Sequence, residues 1–191
     1  MKKKLLYSVI FALAVLGVVY YAARATVNTA DAGGLTSLHF AALEGNGGKM
    51  AWLIFVGGHV DTRAPDGQTP LHFAQDPDVV SVLHRHHADL NVRTNSGDTP
   101  LHFAALEARP EVVHRLIALG ADVNARNDEG DTPLHAAVHG ENRLAVKLLL
   151  ANGADLTARN AHGVTPLQMA KQRKAQDIEK MLGTYAAKLK Q

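Results

Sequence analysis

Between Gly97 and Asn124 the apolar positions of this chain fall into two short groups separated by Arg109-Pro110. The first group, running from Leu101 to Leu106, follows Thr99-Pro100. That pair predicts a helix start: a threonine hydroxyl at the N-cap, then a proline at the first helical position, where its missing N–H removes no hydrogen bond. Arg109-Pro110 predicts a break, because proline disfavours helical geometry in the residue before it. Val112, Val113, Leu116 and Ile117 then recur at helical spacing and predict a second helix. Gly120 predicts its end, since glycine takes the left-handed conformation of a C-terminal cap at little cost. Ala121-Asp122-Val123-Asn124 leads from there into a turn around Gly130.

The same pattern recurs from Gly34, Gly67, Gly97, Gly130 and Gly163, at spacings of 33, 30, 33 and 33 residues. Behind these glycines stand Thr36-Ser37-Leu38-His39, Thr69-Pro70-Leu71-His72, Thr99-Pro100-Leu101-His102, Thr132-Pro133-Leu134-His135 and Thr165-Pro166-Leu167-Gln168. The period, the T-P-L-H-x-A helix start and the G-A-D-V-N exit resemble the ankyrin repeat. That resemblance covers roughly residues 31–182 and implies an all-α repeat solenoid of five helix-turn-helix pairs joined by β-turn fingers. The repeats fall at about 33–65, 66–95, 96–128, 129–161 and 162–191, within a domain over 33–191. The end copies are atypical, as a solenoid requires of units with a single neighbour: Ser37 replaces proline in the first, and the last has a basic second half.

Ahead of the repeats, Lys2-Lys3-Lys4 precedes nineteen uncharged, mostly apolar residues, Leu5 to Ala23, and then Ala23-Arg24-Ala25. A basic start, an apolar stretch and an A-x-A site form a secretory signal peptide. The stretch is also near the lower limit for a spanning helix. Residues 1–25 are therefore expected to be a cleaved signal peptide or a retained N-terminal hydrophobic helix, and 26–32 a short polar linker. Either reading exports the repeats, to the periplasm or beyond after cleavage, or on the exported side of a membrane anchor.

Charge and composition narrow the partners. The net charge of +2 includes Lys2, Lys3, Lys4 and Arg24, so the rest of the chain carries 16 basic and 18 acidic residues, a net of −2. That is not the footprint of a nucleic-acid binder. Cysteine is absent, which excludes disulfides, thiolate metal sites and a cysteine nucleophile. The sequence has no G-x-S-x-G elbow, phosphate-binding glycine loop or H-E-x-x-H motif, so the reading is of a non-enzymatic chain without cofactors. His84, His86 and His87 form a tight cluster, but nothing in the sequence completes a tetrahedral set, and a solvated helix end is the expectation rather than a metal site. Repeat two is three residues short between Ala74 and Val79, so its first helix should be clipped by Asp76-Pro77. His87 stands where other units have Gly57, Gly120 and Gly153. Trp52, the only tryptophan, is expected in the core against repeat two.

The resemblance further implies that His39, His72, His102 and His135 are structural, and that a concave face of fingers and first helices binds another protein. Carried over by position, the contacts implied are Leu35, Gln68, Asp98 and Asp131 after the finger glycines, and Asp66, Asn95, Asp128, Glu129 and His162 at the finger tips. Leu43, Glu44, Leu106, Glu107 and His139 complete the set at the ends of the first helices. An acidic face with an apolar centre at Leu106 follows, with Arg63, Arg93, Arg126 and Arg159 expected to face solvent. The functional expectation is a monomeric interaction module whose partner is a protein. A structural or metal-handling role, or protection of an exported enzyme or neutralisation of a toxin, stands as the alternative.

Overall fold

The computed structural model describes residues 15–188; Lys2 to Lys4, residues 5–14 of the apolar leader and residues 189–191 lie outside that range. A helix over residues 15–26, α1, comes first. Then follow α2 (Ser37–Leu43), α3 (Gly47–Phe55), a single 3-10 turn (Pro70–Phe73), α4 (Pro77–Arg85), α5 (Pro100–Leu106), α6 (Pro110–Ala118), α7 (Pro133–His139), α8 (Arg143–Ala151), α9 (Pro166–Arg173) and α10 (Gln176–Lys188). The two members of each pair pack together, and the pairs stack. α2, the 3-10 turn, α5, α7 and α9 make an inner row; α3, α4, α6, α8 and α10 make an outer one. This is the all-α solenoid of five stacked pairs that the sequence predicts.

Two ladders of side chains set the stacking. Leu38, Leu71, Leu101 and Leu134 on the inner row and Leu53, Leu83, Leu116, Leu149 and Leu182 on the outer row are buried between units. Each contributes about 1.5 to 3 kcal/mol of burial, available only when a neighbouring unit covers it. Beside them runs Ala41, Ala74, Ala104, Ala137 and Ala170, all fully buried, where a larger side chain would push adjacent helices apart. Backbones also meet closely: a Cβ at Gly140 would lie 2.0 Å from the Leu106 carbonyl oxygen.

Repeat two is clipped as expected. Its first helix is reduced to the 3-10 turn, and Asp76 serves as N-cap of α4, accepting from the Asp78 N–H at 2.7 Å. The missing turn is filled from the next unit. Arg109, buried between α5 and α6, donates through Nη1 to the carbonyls of Ala74 (2.9 Å) and His72 (3.3 Å) and pairs through Nη2 with Glu107. In the full-length unit that follows, Asn142 stands in the same place and reaches the Ala105 carbonyl at 3.1 Å. A short amide suffices where the turn is present; a guanidinium is needed where it is not.

Two places depart from expectation. Trp52 is 48% exposed on the outer side of α3 beside Phe55, which is 74% exposed, so the tryptophan is not a core residue. The inward positions of that helix are taken by Met50 and Leu53, and the helical period turns Trp52 outward. The second departure is at residues 26–32. Val27 is buried in the core, and Asn28 bridges to the first exit loop, donating to the Gly57 carbonyl (2.9 Å) and accepting from the His59 N–H (3.0 Å). Asn124 makes the same pair of bonds to Gly153 and Asp155. Val27-Asn28 therefore occupies the place of Val123-Asn124, and α1 the place of an outer helix, with Tyr20 and Ala23 packed against the core. Among the described residues no helix is long and apolar enough to cross a membrane.

His87 takes a positive φ of 66°, where Gly57, Gly120 and Gly153 take 104°, 100° and 85°. A non-glycine residue there is strained by about 1 kcal/mol, so His87→Gly should raise the urea midpoint by up to that equivalent. Arg109→Ala should lower stability by about 2 to 3 kcal/mol, since it orphans two carbonyls beneath a neighbouring repeat. Arg93→Ala, at an exposed pair, should cost less than about 1 kcal/mol. Equal losses for the two arginine variants in urea unfolding would show that Arg109 does not fill the gap.

Candidate protein-binding face

The face where inner helices meet fingers is assembled by a histidine in each of the first four units. Thr69 sits in extended geometry at the N-cap, and its N–H donates to Nδ1 of His72 at 3.0 Å. Nδ1 is thus an acceptor, which leaves the ring proton on Nε2. Nε2 donates across to the next unit, to the carbonyl of Asp98 at 3.2 Å. His39, His102 and His135 repeat the arrangement onto the carbonyls of Gln68, Asp131 and Val164, at 3.3, 3.0 and 3.1 Å. Each acceptor follows a finger glycine, so every imidazole fixes the finger of its neighbour.

Burial pushes all four imidazoles below the ordinary histidine range, against the opposing pull of the carbonyls they donate to. For His72 the value falls to about 4. In repeat five Gln168 does the local half of the same work, its Oε1 accepting from the Thr165 N–H at 2.9 Å.

The fingers are tied to each other by a second ladder. The Arg63 guanidinium donates to its own Gly67 carbonyl (3.1 Å) and to the Arg93 carbonyl in the next finger (2.9 Å). Arg126 donates in the same way to Gly130 and Arg159, at 3.1 and 2.7 Å. Arg93 reaches the Arg126 carbonyl and pairs with Asp128 at 2.8 Å. These arginines are exposed, as expected, and the heads of Arg63, Arg93 and Arg126 also strap adjacent fingers, because each guanidinium meets carbonyls at the turns. Tips are joined through backbone as well, from Asn95 N–H to the Asp66 carbonyl, Asp128 to Ser96, and Ala161 to Glu129.

The implied contact residues separate accordingly. Leu35 and Gln68 are half-buried at the bases of their fingers. Asp98 and Asp131 accept from the side-chain amides of Asn127 (2.7 Å) and Asn160 (2.8 Å) of the following finger. Glu44 pairs with Lys49 at 2.7 Å, Glu107 with Arg109 and Asp128 with Arg93. Asp66 accepts from the Gln68 N–H of its own finger at 3.1 Å. Asn95, Glu129 and His162 stand exposed at the tips and His139 at the end of α7. Glu44, Glu107 and Asp128 are thus paired with cations, whereas Asp66, Asp98, Glu129 and Asp131 keep their charge, the aspartates accepting only from neutral donors.

Beside these acids the face also exposes apolar side chains. Leu43 and Leu106 are 40% and 39% exposed, and Phe40 beside them 38%. Phe73 and Phe103 line up with Phe40 along the inner row, each packing edge-on against the preceding latch histidine, His39 at 5.6 Å and His72 at 5.3 Å. The stripe spans repeats one to three and ends where Ala136 replaces phenylalanine. The sequence carries its signal, a phenylalanine directly after three successive L-H pairs, but that signal lies inside the repeat motif and was absorbed by it. On the outer side an open cleft of about 600 Å³ is lined by Pro77, Pro110, His114, Leu144, Lys147 and Leu148. His84, His86 and His87 are exposed, and among the described residues no three metal-ligating side chains converge.

The ankyrin repeat model, in its three-copy form, matches residues 38–127 and 110–191, and the chain belongs to the ankyrin repeat family. Ankyrin repeats are generally protein-protein interaction modules and binding scaffolds. No curated protein matches the chain.

The latch makes stability pH-dependent in a stated direction. Because the folded imidazoles titrate below the unfolded value of 6.5, the unfolded chain binds more protons between pH 6.5 and about 4. Stability is therefore full above pH 6.5 and falls as the pH drops through that window. His72→Gln, copying Gln168, should flatten the fall by about one proton, or roughly 1.4 kcal/mol per pH unit at the steepest. Urea midpoints between pH 7.5 and 4.5 would reveal it; an unchanged slope would remove His72 from the account.

Proposed function

We propose that this chain is an exported module that binds another protein through the inner-row face, with Phe40, Leu43, Phe73, Phe103 and Leu106 as its apolar centre and the fingers as its rim. The observation that carries the reading is the row of large apolar side chains along the inner face, with Phe40, Leu43 and Leu106 exposed and Phe73 and Phe103 half-buried between them. Aromatic and leucine side chains ringed by polar groups give interfaces their concentrated binding energy. Export is supported by the Lys2 to Ala25 leader, with its basic start, apolar stretch and Ala23-Arg24-Ala25 site. A monomer suits this reading, since the face is one the chain completes by itself.

The rim contributes to encounter more than to affinity. Asp98 and Asp131 hold neighbouring fingers, so reversing their charge would disturb the scaffold as well as the field. Asp66 and Glu129 are exposed and serve better as probes. Affinity capture from the exported compartment identifies the partner, and the purified pair is then compared across variants. Leu43→Glu with Leu106→Glu should weaken binding by about 30-fold or more, the scale of a hot-spot loss, while leaving the helical content unchanged. Asp66→Lys with Glu129→Lys should change mainly the association rate and its salt dependence. Unchanged affinity in the leucine pair would move the contact off this face, with the outer cleft at Leu144 the next surface to test.

A further inference from the structure

The outer row has one position where a single unit departs in kind from the rest. The second residue of its helices is Gly48, Asp78, Glu111 or Asp177 in four units, small or acidic, and acids there suit the positive end of the helix dipole. In α8 that residue is Leu144, 59% exposed and the most exposed large apolar side chain of repeats two to five. The packing of α8 does not require it, since Ala145, Val146, Leu149 and Leu150 fill the inward side of the helix.

Leu144 forms part of one wall of the cleft of about 600 Å³ between α6 and α8. Leu148 and Ala151 continue that wall, and Pro77 and Pro110 line the cleft from the starts of α4 and α6. Its cations stand on both sides, Arg115 on α6 and Lys147 on α8. The Ser81 hydroxyl accepts from Nε of Arg115 at 2.8 Å, which positions the guanidinium and leaves its Nη groups to donate elsewhere. Among the described residues neither Arg115 nor Lys147 has a carboxylate within ion-pair distance, and Glu111 is the one acid lining the cleft. Asp177 of the next unit is engaged by Arg143 at 3.1 Å.

Shape selects the kind of anion. α6 and α8 are each nine residues long and pack side by side, so the trough between them runs for about 13 Å, or roughly two and a half helical turns. Its walls present side chains four residues apart, Pro110 and His114 on one and Leu144 and Leu148 on the other, the ridges against which a third helix packs. A trough open along its length suits a helix laid in it better than a small molecule, most of whose surface a pocket must enclose.

We infer that the trough between α6 and α8 is a second docking surface, and that its occupant is an amphipathic helix of a partner protein, apolar along one face and carboxylate-bearing on both flanks. The apolar ridge covers Leu144 and Leu148, and the flanking acids meet Arg115 on one wall and Lys147 on the other. The inner face would repel such a segment, because Asp66, Asp98, Glu129 and Asp131 keep their charge there. The inference is independent of what the inner face binds.

The probe is a hydrocarbon-stapled helical peptide of about 14 residues, roughly four turns, with leucines at i, i+4, i+7 and i+11 and glutamates on both flanks. Titrated calorimetrically into the purified chain, it should bind one to one and more weakly as salt rises, while the same peptide with lysines for glutamates should not bind. Leu144→Asp restores the acid that three other units carry, so it should leave the thermal midpoint unchanged or raised and weaken the peptide by about tenfold or more. Lys147→Glu, at an exposed position, should weaken it comparably, and Lys147→Arg should not. Leu43→Glu with Leu106→Glu should leave peptide affinity unchanged, which separates this surface from the inner one. Absence of binding, equal binding of the lysine peptide, or affinity indifferent to both Leu144→Asp and Lys147→Glu overturns the proposal. Concentration-dependent self-association lost in Leu144→Asp overturns it in favour of a second copy, and binding to phosphatidylglycerol vesicles lost in the same variant overturns it in favour of a lipid surface.

Discussion

Each of the four junctions between the five units of this solenoid depends on an imidazole that has no proton on Nδ1. The ring accepts from its own threonine N–H on one side and donates to the next finger's carbonyl on the other. One side chain thereby completes a helix start and positions a turn some thirty residues away. A protonated ring would set two N–H groups against each other at the helix start, so burial that keeps the ring neutral belongs to the design of the junction. In the fifth unit glutamine takes the place of the ring and completes the helix start alone.

Much of the polar chemistry of the fingers is consequently directed along the solenoid. Guanidinium heads, asparagine amides and tip backbones connect neighbour to neighbour. Rigid fingers follow, and with them a face whose shape is fixed before anything binds, which lowers the entropy lost on association.

The repeat architecture was legible because its signals are local: threonine-proline starts, glycine exits, and a period that the eye can count. The clipped first helix of repeat two and the odd residue at position 87 were legible for the same reason. Arg109 was not, because its acceptors lie about 35 residues earlier and only the folded stack brings them together. Nor was the half-repeat at the start, since of its motif only Val27-Asn28 survives and the rest is disguised as leader. Trp52 was misplaced by the average behaviour of tryptophan, when the phase of α3 against Met50 and Leu53 would have turned it outward. The phenylalanine stripe stands in the sequence at the variable position of the T-P-L-H-x-A start, where the motif itself carries no information about which residue is present.

The arginine that fills the gap in repeat two changes what a repeat means in this chain. Units of a solenoid are ordinarily interchangeable, and such proteins diversify by duplicating, deleting or reordering them. Repeat two can be followed only by a unit bearing a long donor at the place of Arg109; with the asparagine of repeat four behind it, the amide would be too short to reach the orphaned carbonyls. The two units are complementary as a pair. Exchanging either unit alone would leave the Ala74 and His72 carbonyls without their donor.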